Sequence, residues 1–190
     1  MYYITVMIEQ LNLQEQVELS ILSKNKKTAL EIGSYSGSAT KILVFNCDLI
    51  FSVDWWNGSL GSNTRLSHEE QFPIFYDEFK DKVVIIAGDV ADVLPALCKN
   101  YFDIIFIDGD HRYSHVNRDI QNAKELVAEN GIICGHDYDL GKTEINKSYI
   151  VQHSEHDMYS NHHFGVIRAV NENFKNFNVE GTIWSSNGNN

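Results

Sequence analysis

The sequence predicts a single α/β domain built on a mainly parallel β-sheet, and three observations predict it. Short apolar runs alternate with amphipathic stretches along most of the chain, the pattern that parallel strands joined by crossover helices require. The runs end in glycine or a carboxylate, at Glu31-Ile32-Gly33, Asp54, Gly88-Asp89, Asp108 and His136-Asp137. In an open parallel sheet, ligands gather at that end of the strands. The chain has 190 residues, 43% hydrophobic and 22% charged, which suits one domain with a real core and excludes a disordered chain.

Residues 28–33 (TALEIG) read as a first strand entering a glycine turn, and 38–45 (SATKILVF) as the helix leaving it. Residues 48–54 (DLIFSVD) repeat the strand pattern, 68–80 read as helix, and 82–87 (KVVIIA) as a β-branched strand. A short helix is expected over 89–97, with Pro95 as its breaker. Residues 102–108 (FDIIFID) are the most strand-like segment and are expected to be buried on both faces. Over 115–129, Val116, Ile120, Ala123, Leu126 and Val127 keep a helical period, and Asn130-Gly131 is expected to stop that helix before a fifth strand at 132–135. Residues 166–174 read as helix, and 177–185 as either one strand or a tight hairpin around Glu180-Gly181. Residues 138–163 are polar, histidine-rich and aperiodic, and are expected to form a long active-site loop. The amino end, 1–25, is left unplaced: 2–8 is β-like in composition and 14–22 is helix-like.

Fifteen Lys and Arg against 26 Asp and Glu leave a net charge of −11. That field repels nucleic acid and anionic membrane surfaces, so neither is an expected partner. No apolar run is long enough to span a bilayer, and the start MYYITVMIEQ lacks the features of a secretory signal, so the expected location is cytoplasmic. Cys47, Cys98 and Cys134 show no CxxC spacing and are expected to be buried thiols, neither zinc ligands nor disulfides. With no linker and no internal repeat, 1–190 reads as one domain; a homo-oligomer is compatible with it.

Gly33 and Gly37 frame the first turn without the third glycine of the dinucleotide pattern. Such a turn lets the backbone approach a ligand closely and offers N–H groups near a helix start to a carboxylate, as in an amino-acid moiety. Asp54 ends the second strand, where a carboxylate can accept both hydroxyls of a ribose. Trp55 and Trp56 offer aromatic faces to a purine, and Trp55, adjoining Asp54, is taken as the site residue. Asp108 and Asp110 either cap the next helix or serve a ligand; their mutual repulsion favours the ligand role. His153, His156, His162 and His163 have no cysteine beside them and read as a solvated lid rather than a metal set.

These motifs, in order from Ala29 through Tyr138, resemble class I S-adenosylmethionine-dependent methyltransferases. The combination of IDGDHRY (107–113), GHDY (135–138) and FGVIRAVNENF (164–174) is similar to a group related to macrocin O-methyltransferase and cephalosporin-hydroxylase-like proteins. The resemblance implies a Rossmann-like, doubly wound, mainly parallel seven-stranded sheet with helices on both faces. It also implies that Glu31, Gly33, Ser34, Tyr35 and Gly37 surround the methionine part of the cofactor and that Asp54 holds the ribose. Asp89 would meet the adenine amino group, with Val90 donating its backbone N–H, and Asp108 and Asp110 complete the cofactor set. Asp108, His136 and Asp137 match the metal positions of related O-methyltransferases. The usual pair there is Asp-Asn or Glu-Asp, so His136 tilts a divalent site from magnesium toward manganese, iron or zinc. His111 stands where similar enzymes often carry a lysine base; His136 is the second candidate.

The implied activity is methyl transfer to a hydroxyl of a small, sugar-like molecule. Two other readings stand beside it. One is a nicotinamide-dependent oxidoreductase, which calls for the missing third glycine. The other is a non-catalytic module that binds S-adenosylmethionine without an acceptor site.

Overall fold

The computed structural model describes residues 10–56, 68–139 and 145–188. Strands β1 (Lys26–Ile32), β2 (Cys47–Asp54), β3 (Val83–Ala87), β4 (Phe102–Ile107) and β5 (Val127–Gly135) pair in parallel, in the order β3-β2-β1-β4-β5. Strands β6 (Asn178–Glu180) and β7 (Ile183–Asn187) form an antiparallel hairpin, and β7 pairs antiparallel with β5. The outcome is a Rossmann-like α/β sheet of seven strands, parallel except at one edge. The central strands are apolar on both faces because both are covered: Ala29, Leu30 and Ile32 on β1, and Ile104, Ile105, Phe106 and Ile107 on β4, are all buried.

Helices α1 (Leu13–Ser23), α2 (Ser38–Asn46) and α3 (His68–Phe79) cover one face through Leu19, Leu43, Phe75 and Phe79. The other face carries α4 (Val90–Val93), α5 (Tyr113–Leu126), α6 (Lys147–His153) and α7 (Phe164–Asn173), with Val116, Ile120, Ile150, Ile167 and Val170 buried against it. Asn12 starts α1 through a reciprocal capping box with Glu15. The chain winds from β1 out to β3, then returns to β4 beside β1. That reversal opens a crevice at the carboxyl ends of β1 and β4, and it places the site.

Several boundaries differ from expectation. Helix α5 ends at Leu126 rather than 129, and Asn130-Gly131 lies inside β5 instead of stopping the helix. The register there jumps from Phe102↔Val127 to Ile104↔Ile132, so the extra residues loop out of the ladder. The apolar side chains at 126 and 127 satisfy helix and strand alike, which is why the period overran. The expected loop at 138–163 contains α6. The tail is a hairpin, turning at Gly181 with φ +65°. Cys47 and Cys134 are buried, but Cys98 is exposed, because it follows the 3-10 turn Leu94–Ala96 at the surface. The β-like stretch 2–8 lies outside the described residues. Among the described residues, no helix is long and apolar enough to cross a membrane.

Candidate functional site

The turn after β1 is built by two glycines in the left-handed region, Gly33 at φ +84° and Gly37 at +88°. At Gly33 a Cβ would sit 2.2 Å from the carbonyl oxygen of Asp108, so only glycine lets the β1 and β4 turns touch. Asp54 projects from the end of β2 into this turn. Its Oδ2 accepts from the backbone N–H groups of Ser34 and Tyr35, both at 2.8 Å, and Oδ1 accepts from Trp56 N–H at 3.2 Å. The N–H groups expected to meet a ligand carboxylate are thus occupied by the protein's own carboxylate, which ties the turn to β2.

Glu31 is enclosed behind the turn rather than facing a ligand. It is fully buried, and its carboxylate accepts from Thr40 Oγ1 at 2.7 and 2.9 Å and from Ser52 Oγ at 2.6 Å. Burial pushes its carboxyl up to about 7, with Asp54 adding to the rise and the hydroxyls of Ser52, Thr40 and Ser34 opposing it. Its contribution is to brace β1, β2 and α2 beneath the glycines.

Trp55 is exposed beside Asp54, whereas Trp56 is buried and packs on Phe75 with ring centroids 4.9 Å apart. Only Trp55 therefore offers a free face. Asp89 is exposed, and its side chain caps α4 by accepting from Ala91 N–H at 2.8 Å. Val90 opens that helix, so its N–H has no acceptor within it. Asp110 lines the same small cavity as Asp108 but is engaged by Arg112. It accepts from the Nε and backbone N–H of Arg112, at 2.9 Å each, and these contacts hold its carboxyl below the usual range against the effect of burial. Arg112, the N-cap residue of α5, thus offsets the repulsion between Asp110 and Asp108.

At the ends of β4 and β5 the acidic and imidazole groups converge. Asp108, His136 and Asp137 each bring a ligand atom within 4.8 Å of the others. His136 Nδ1 lies 3.3 Å from Asp137 Oδ1 and 3.6 Å from Asp108 Oδ1. Its buried Nε2 has no hydrogen-bond partner, although Glu15 Oε2 stands 3.4 Å away. His111 is gripped from both sides, Nε2 to Asp137 Oδ2 at 2.9 Å and Nδ1 to Asp157 Oδ1 at 2.8 Å. Burial disfavours charge on both rings, but the carboxylates prevail. Asp137 and Asp157 hold His111 up to about 10, and Asp108 and Asp137 hold His136 up to about 11. Asp137 is correspondingly driven far down by the two histidines, against its burial. With only carboxylates facing them, both rings favour the protonated form.

Four further residues join this cluster that the sequence reading left out. His163 Nδ1 lies 3.1 Å from Asp139 Oδ2 and 3.6 Å from Asp137 Oδ1, so His163 belongs to the site and not to a solvated lid. Asp157 and Asp139 orient the imidazoles, and Glu15 reaches across from α1. His153 and His156 stay apart, the former stacked on Tyr159 at 3.8 Å. The Asn12-x-x-Glu15 capping spacing was visible in the sequence, but its position behind His136 is a product of the fold. The donor set, two carboxylates and one imidazole with an orphaned nitrogen behind it, fits a divalent ion of borderline softness.

A family model described as a methyltransferase domain matches residues 30–138, more than half of the chain. The chain belongs to that methyltransferase-domain family. The matched span runs from β1 to the residue after Asp137, so it contains every strand end discussed above. No curated protein matches the sequence. Among solved structures, the chain is similar to cofactor-bound Rv0187 from MTB, at 18% identity and TM-score 0.64, covering 93% of this chain and 80% of that one. It is also similar to an O-methyltransferase from Bacillus cereus in complex with SAH, at 15% identity and TM-score 0.62, with 93% and 82% covered. Spermidine synthase from Thermotoga maritima shares the fold at 14% identity and TM-score 0.58, with 90% and 56% covered. At these identities the likeness is one of fold.

Proposed function

We propose that this methyltransferase-domain chain uses S-adenosylmethionine to methylate a hydroxyl of a small, sugar-like molecule, assisted by a divalent ion. The observation that carries the reading is the convergence, on one sheet edge, of the glycine turn locked to Asp54 and the Asp108–His136–Asp137 set. Asp54 is already oriented by three backbone N–H groups, so its remaining lone pairs are pre-aimed for ribose hydroxyls. Trp55 gives adenine an open aromatic face, and the Val90 N–H and Asp89 stand at the next strand end. Glu31 keeps the turn rigid from behind.

The sulfonium supplies an activated methyl group, so the protein's work is alignment and proton removal. Asp108, His136 and Asp137 would hold the ion, whose chemistry is to acidify a chelated hydroxyl. Asp157 holds Nδ1 of His111, so that its Nε2 would be the atom to take the acceptor's proton. This cytoplasmic, single-domain reading needs no nucleic acid and no membrane.

Calorimetry with S-adenosylhomocysteine tests it, with and without Mn²⁺. Asp54→Ala is expected to weaken binding about tenfold or more without metal, the cost of charge-assisted hydrogen bonds. Asp108→Ala should bind like wild type without metal and lose any enhancement by Mn²⁺. Equal affinity in all three proteins overturns the assignment, and tight NADH binding would replace it with the oxidoreductase reading.

A further inference from the structure

A second group in the cluster overlaps the Asp108 set at Asp137 alone. His111, Asp137 and His163 each offer a ligand atom, all within 4.8 Å of one another, from the β4–α5 turn, the end of β5 and the residue before α7. We propose that this triad is a second metal site, selective for zinc-class transition ions, which shares only Asp137 with the Asp108–His136–Asp137 set.

The donor chemistry sets the selectivity. Two imidazoles and one carboxylate suit Zn²⁺, Co²⁺ or Cu²⁺ and disfavour Mg²⁺, which prefers oxygen. His111 is held from behind by a carboxylate, as metal-bound histidines are, whereas His163 turns the same Nδ1 toward both Asp139 and Asp137. Asp157 takes Nδ1 of His111 at 2.8 Å, and Asp139 takes Nδ1 of His163 at 3.1 Å and its backbone N–H at 3.2 Å. A proton fixed on Nδ1 leaves the lone pair on Nε2, and for His111 that nitrogen faces Asp137 at 2.9 Å.

Asp137 is shaped for a shared role. It is a non-glycine residue in the left-handed region, φ +64°, a strained conformation that tertiary contacts must impose. Its two oxygens face different partners: Oδ2 meets His111, and Oδ1 meets His136 and His163. Charge favours a second cation as well. Asp137, Asp139 and Asp157 contact the two rings, and Asp108 and Glu15 stand against the neighbouring His136, more negative charge than one divalent ion neutralises. An ion in the triad occupies the Nε2 that proton removal needs. Occupancy and base action by His111 therefore exclude one another.

The test is titration of the full chain with cobalt chloride, read by calorimetric stoichiometry and visible d–d absorption, with S-adenosylhomocysteine affinity measured on the same samples. One equivalent of cobalt is expected to be lost in His163→Gln and kept in Asp108→Asn, and Asp157→Asn should weaken that same equivalent about tenfold or more. Mg²⁺ should not displace it. If His163→Gln does not fold, His111→Gln carries the same comparison. Cobalt stoichiometry and spectrum unchanged by either histidine variant overturn the proposal, as does the absence of nitrogen superhyperfine coupling when wild type is loaded with Cu²⁺. S-adenosylhomocysteine affinity that survives while the cobalt arm fails sinks this site alone; the reverse pattern sinks the cofactor reading and leaves the metal site standing.

Discussion

Glu31 shows how one residue type carries two meanings. A glutamate two positions before Gly33 reads from the sequence as a ligand contact, yet the structure seals it among Thr40, Ser52 and Ser34, where those hydroxyls need an acceptor. Its folded-state carboxyl titrates near 7 instead of 4.5, so ionising it costs the fold on the order of 3 kcal/mol. The folded state holds the proton more tightly than the unfolded chain. Stability is therefore full below about pH 4.5 and declines as pH rises through about 7. Glu31→Gln does not titrate, so urea unfolding should show the variant gaining on wild type between pH 5 and pH 8 by about 1–3 kcal/mol. Parallel curves would contradict the buried-acid account. Asp54 and Asp108 stood out in the sequence because a carboxylate ending an apolar strand has few structural uses; the engagement of Asp110 by Arg112, two positions on, did not.

At the scale of elements, α7 decides how the histidines come together. Its second residue, Gly165, packs so closely that a Cβ would meet the His111 carbonyl oxygen at 2.1 Å and Tyr113 N at 2.4 Å. The close approach seats His163 beside His111. Gly165→Ala should force α7 off the β4–α5 turn and cost about 1–3 kcal/mol by overpacking, read by chemical denaturation. Its affinity for S-adenosylhomocysteine should stay within about twofold of wild type, since the glycine turn and Asp54 lie on other elements. A wild-type denaturation midpoint would show that the packing relaxes freely. The strands and α2, α3 and α5 were legible because period and burial agree in them. The α5–β5 junction was not, because apolar residues there serve both conformations.

Over the whole molecule, a net charge of −11 sets which ligands approach readily. The field favours a sulfonium over its neutral thioether product, and salt screens it beyond a Debye length of about 10 Å at 0.1 M. The ratio of S-adenosylmethionine to S-adenosylhomocysteine affinity should therefore fall roughly two- to fivefold between about 10 mM and 500 mM salt. A ratio independent of salt would confine the electrostatics to the strand ends. The sheet order, with its reversal between β1 and β4, brings those ends to one edge.

By itself, the sequence determined the alternation of strands and helices, the glycine turn, and the carboxylates at the strand ends, because periodicity and local backbone geometry act over a few neighbours. Only the tertiary structure decided that Asp54 locks the turn, that Glu31 lies behind it, and that Glu15, Asp157 and His163 gather around His111 and His136. Those pairs lie far apart along the chain and have no local signature. Their meeting depends on strand order and on the close seating of α7, which no short window of residues encodes.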